Sequence, residues 1–61
     1  MGEQHPLTAQ ADYCLGRAAF ERGDLATARS RFESCLEVRE KALGADHPDT
    51  ERTRVWLERT V

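Results

Sequence analysis

The residues able to do chemistry come in pairs. His47 stands in Gly44-Ala45-Asp46-His47-Pro48-Asp49-Thr50, with carboxylates on both sides, and His5 stands in the similar stretch Gly2-Glu3-Gln4-His5-Pro6-Leu7-Thr8. Imidazole and carboxylate are zinc ligands, but a zinc site takes three or four ligands at close spacing. His5 and His47 are 42 residues apart, so the ligand set is too sparse. Cys14 and Cys35 lack the C-x-x-C spacing of thiol catalysts. No combination of His and Asp marks out the convergent cleft that acid–base catalysis needs. Arg17 and Arg59 form a third pair, again 42 residues apart. Each offers a flat fork of donors suited to a carboxylate.

The shared offset is the informative feature. Gly2 and Gly44, Pro6 and Pro48, Thr8 and Thr50, and Leu15 and Leu57 repeat it without a gap. A period in this range is the signature of a helical solenoid. The histidines then belong to two equivalent corners of a scaffold. In each corner Pro fixes its own φ and holds the preceding residue extended, shaping the approach to a helix.

Composition narrows the rest. The 61 residues carry 9 Lys+Arg against 11 Asp+Glu, a net charge of −2, which argues against a general nucleic-acid binder. No apolar run approaches the roughly 18 residues that span a membrane. The opening "MGEQHPLTAQ" has no apolar signal core. The expectation is a cytoplasmic chain with reduced cysteines. A core of this size supplies about 3–5 kcal/mol net, and domains this small usually need a staple, a metal or a partner subunit.

Three helices are predicted, at 7–22, 25–43 and 49–61, within a single module spanning 1–61. Ala11, Leu15, Ala18 and Ala19 recur at three-to-four spacing in the first. Leu25, Ala28, Phe32, Cys35, Leu36 and Leu43 make the stripe of the second. Gly23-Asp24 and Gly44 break the pattern. Asp49 or Thr50 is the expected N-cap of the third helix.

The pattern resembles a tetratricopeptide repeat. Leu15-Gly16, Gly23, Ala28, Phe32 and Cys35-Leu36 sit at the spacings of that family's marks. The 42-residue period and "ALGADHPDT" resemble the kinesin-light-chain type. The resemblance implies an all-α fold, an antiparallel helical hairpin plus a third helix, as a right-handed α-solenoid fragment. Gly16 and Ala28 lack bulk and allow close helix approach, with Leu15, Phe32 and Leu36 expected to fill the space around it. Asp12 stands where the family has a large aromatic. Glu58 stands where the first copy has Gly16, so residues 50–61 are expected to cap the stack with a wet face.

The resemblance further implies protein–protein interaction without catalysis, cofactor or metal. The first helix of each repeat would line a concave groove, which places Gln10, Tyr13, Arg17 and Phe20, with Glu21, beside Arg52, Val55 and Arg59. An acidic protein or peptide is the expected partner; nucleic acid and membrane are not. Trp56 faces either the second helix or a partner. The alternative reading is a self-assembling unit: a homo-oligomer formed by end-to-end stacking or helix exchange through Leu7, Ala11, Ala18 and Trp56. The chain is also readable as the C-terminal part of a longer array.

Overall fold

A computed structural model describes residues 6–60, with side chains from Thr8 onward. Helix α1 runs Pro6–Glu21, α2 Leu25–Leu43 and α3 Pro48–Arg59. There is no strand among the described residues. The fold is an antiparallel α1/α2 hairpin with α3 laid against it, and none of these helices is long and apolar enough to cross a membrane.

The turn between α1 and α2 is built from three residues. Gly23 has φ 83°, a left-handed conformation that side chains disfavour. Asp24 N–H donates to Ala19 O at 2.9 Å and Gly23 N–H to Phe20 O at 3.0 Å, which satisfies the last carbonyls of α1. Asp24 then caps α2, its carboxylate accepting from Thr27 N–H at 3.3 Å. Those bonds from Thr27 lower the Asp24 pKa, with the Arg22 charge adding to them.

The inward arc of α1 is Ala9, Asp12, Tyr13, Gly16, Ala19 and Phe20. This differs from the expected stripe. Of Ala11, Leu15, Ala18 and Ala19, only Ala19 is buried, and Leu15 is 49% exposed. The small residues decide it. A Cβ on Gly16 would lie 2.9 Å from Phe32 Cε1, so the helices meet along the Ala9–Gly16–Ala19 edge and Leu15 is turned outward. On α2, Ala28, Phe32, Cys35 and Val38 are buried and Leu36 is half-buried. Leu25 and Leu43, expected in the stripe, sit at the two ends of α2 and are exposed. Asp12 is buried by a different device from the aromatic it replaces: its carboxylate accepts from Arg31 at 3.3 Å, across the hairpin.

Helix α3 starts one residue earlier than expected, and its N-cap is neither Asp49 nor Thr50. His47 holds the position with extended backbone, and its Nδ1 accepts from Asp49 N–H at 3.1 Å. Pro48 lacks an N–H and has a helical φ, so it serves as the first helical residue. Thr50 is freed to donate its hydroxyl to Arg39 O at 3.3 Å. Thr60 closes the helix, its hydroxyl donating to Leu57 O at 2.7 Å. His5 and Val61 lie outside the described residues.

Two outcomes follow from this packing. Gly16→Ala gains helix propensity of about 1 kcal/mol, yet the forced contact with Phe32 costs about 1–3 kcal/mol. A net loss of stability is expected in urea unfolding, reversed in part by Phe32→Leu in the same chain. The Asp24 carboxylate has a folded pKa below its ordinary 3.8, so its contribution is present above that pH and is lost as pH falls through the lower folded value. Asp24→Asn keeps the cap acceptor, and its melting temperature is expected to fall less steeply below pH 4 than that of the parent.

Candidate groove and comparison with known proteins

The centre of the molecule is an aromatic run that crosses all three helices. Tyr13 of α1 meets Phe32 of α2 edge-on at 5.9 Å. Phe32 stacks on Trp56 of α3 at 5.8 Å and an interplanar angle of 21°. Phe20 of α1 reaches the same indole edge-on at 5.3 Å. Edge-to-face and offset pairs at such separations are favourable beyond their buried area.

A polar joint reinforces the α2/α3 seam. Arg39 donates to Asp49 O at 3.3 Å and to Thr53 Oγ1 at 3.0 Å, and its guanidinium lies 4.9 Å from the Tyr13 ring centre. Thr53 also meets Cys35 Sγ at 3.7 Å. Burial pushes the Cys35 thiol pKa up, with the Thr53 contact opposing it, so Cys35 is a packing residue. Cys14 is exposed, and both thiols are free. His47 spends its Nδ1 on the α3 cap. It is a corner residue, as its repeat setting implies.

Trp56 is half-buried and forms the floor of a surface shared by α1 and α3. The Arg17 guanidinium lies 5.2 Å from its ring centre and that of Arg59 5.0 Å. The two charges therefore stand within about 10 Å of each other, on the order of a Debye length at physiological salt. Among the described residues neither has a carboxylate within ion-pair distance. An open cleft of about 440 Å³ runs along α3 between Pro48, Glu51, Arg52, Val55, Trp56 and Arg59. A second, of about 260 Å³, lies on α1 between Tyr13, Cys14, Arg17, Ala18 and Glu21. The Arg17–Trp56 contact joins them.

Eight of the residues singled out from sequence divide accordingly. Gln10 and Arg17 on α1 and Arg52 and Arg59 on α3 are exposed, and they fall on equivalent faces of the two helices. Arg52 is drawn to Asp49 at 3.7 Å. Tyr13 and Phe20 are half-buried and turned toward the hairpin core, so they support the surface more than they line it. Val55 is 49% exposed and stands at the equivalent of Tyr13. Trp56 is both core and surface. Sequence reasoning did not assign Cys14 to the surface, although it is the 42-residue counterpart of Trp56.

The stack predicts a ranking of stability losses. Trp56→Leu removes two aromatic contacts and is expected to cost about 2 kcal/mol. Arg17→Gln and Arg59→Gln each forfeit one exposed cation–π contact, about 0.5–1 kcal/mol. Urea unfolding of the three variants checks the order.

The model of the tetratricopeptide repeat matches residues 8–49, which is more than half of the chain. No curated protein and no solved structure matches it. The matched stretch holds the α1/α2 hairpin from Thr8 onward, its Gly23 turn, the Gly16–Phe32 contact and the connector to α3. With the hairpin, the turn and the match in agreement, the chain belongs to the tetratricopeptide repeat family.

Proposed function

We propose that this chain is a cytoplasmic protein-interaction module that takes an acidic peptide segment across the α1/α3 surface. The general part rests on the family, whose repeats serve as non-catalytic interaction modules. The observation that carries the specific part is the pair Arg17 and Arg59, held against one indole with no carboxylate partner among the described residues. Guanidiniums in this state keep their forks for an incoming carboxylate. Gln10 and Arg52 extend the polar rim, and Trp56 with Val55 offers apolar surface to a neighbouring side chain of the partner. The 42-residue period and the Gly-x-x-His-Pro connector support the kinesin-light-chain-like kind of repeat.

The second reading is assembly between copies, end to end or by exchange of α3. It is favoured by the exposed apolar outer face of α1, where Ala11, Leu15 and Ala18 lie.

The test of the first reading uses a Glu-rich peptide carrying one leucine, titrated against Trp56 fluorescence. Arg17→Glu with Arg59→Glu is expected to weaken binding roughly tenfold or more, and added salt to weaken the parent. Unchanged affinity in the double variant would remove these residues from the interface.

A further inference from the structure

Every exposed residue of α3 lies on one face. These are Pro48, Glu51, Arg52, Val55, Glu58 and Arg59. At about 3.6 residues per turn they fill an arc of about 120°. The opposite side of the helix is seated on the hairpin: Thr50, Thr53 and Thr60 are buried there, and Leu57 packs on the Ala19–Ala28–Phe32 cluster. The exposed face therefore points away from the rest of the module.

The face is ordered in rows. Pro48 and Val55 are seven residues apart, as are Glu51 and Glu58, and Arg52 and Arg59. Residues at that spacing stand almost directly above one another, drifting by about 20°. Pro48 and Val55 make an apolar middle line, and Val55 is 49% exposed. The two glutamates form one edge of the face and the two arginines the other. Among the described residues neither glutamate has a cation within ion-pair distance, and Arg59 has no carboxylate. Arg52 holds Asp49 at 3.7 Å with both side chains exposed, a kind of pair that contributes little in water.

Such a face is complementary to itself in one orientation. When two copies of α3 lie side by side and parallel, a twofold axis along them sets the acidic edge of each on the basic edge of the other. Glu51 then faces Arg52 of the second copy, Glu58 faces Arg59, and Val55 meets Val55. Turned antiparallel, like edges meet: Glu51 on Glu58 and Arg52 on Arg59. The rows that permit the first arrangement thus oppose the second. A twofold contact of this kind closes at two copies.

We infer that the exposed face of α3 pairs in parallel with the same face of a second copy of this chain. The inference goes beyond the peptide reading. It shares Arg52, Val55 and Arg59 with that reading, so a bound copy and a bound peptide exclude each other there. It also differs from end-to-end stacking and from helix exchange, because α3 keeps its seat and the outer face of α1 is not used.

The test is molar mass by light scattering over a wide range of protein concentration, with reductant present because Cys14 is exposed. The parent is expected to approach the mass of a dimer as concentration rises, and added salt to weaken the association. Glu51→Lys with Glu58→Lys makes both edges basic, and Arg52→Glu with Arg59→Glu makes both acidic. Each double variant alone is expected to raise the dissociation constant at least about tenfold. An equimolar mixture of the two is expected to form a dimer again, which also shows that both are folded. The lysine variant retains Arg17 and Arg59, so its peptide binding separates failure of this inference from failure of the peptide reading. A parent that stays monomeric, double variants that dimerise as well as the parent, a mixture that does not associate, or assembly beyond two copies would overturn the inference.

Discussion

Phe32 has no solvent exposure, and its ring lies where a side chain on Gly16 would be. That single contact sets the separation of α1 and α2. The same ring carries Tyr13 on one helix and Trp56 on another, so it also locates α3. A chain this short has few core residues, and Phe32 is the largest of the fully buried ones among the described residues. A mid-helix glycine is unfavourable for helix formation by about 1 kcal/mol. Here the loss is offset by the ring it admits.

The proposed binding surface depends on that placement. Arg17 and Arg59 come from helices separated by the whole of α2, and they share the Trp56 ring only because Phe32 and the Arg39 joint hold α3 beside α1. The recognition reading therefore rests on the core: the surface is a consequence of how the repeat closes on itself. The two ends of the module follow the same logic. Where α1 has small or apolar residues, close packing is permitted. α3 has Glu51 and Glu58 in their place, and both are exposed.

Much of this was legible in the sequence because it is governed by local rules. Gly23-Asp24 and Gly44 ended helices where glycine and aspartate do so, and the 42-residue offset identified equivalent positions without any contact being known. The family followed from the same spacings. The inward arc of α1 was not legible. Ala11 and Leu15 make as regular a stripe as Ala9 and Gly16, and only the Phe32 ring, contributed from sixteen residues beyond Gly16, chooses between them. The same applies to Asp12, whose burial depends on Arg31 from the neighbouring helix. His47 is not legible as a cap because Asp and Thr are the commoner acceptors, and the place of Trp56 depends on two aromatic neighbours from other helices.

The central claim is that α3 is fixed to the hairpin through Phe32, so that the two arginines belong to one rigid surface. Native-state amide hydrogen exchange tests it most directly. The account predicts that amides of α3 near Trp56 and of α1 near Gly16 open with the same free energy, as one cooperative unit. Opening of α3 at distinctly lower free energy, with α1 and α2 still protected, would contradict it. Arg17 and Arg59 would then share a surface only in passing.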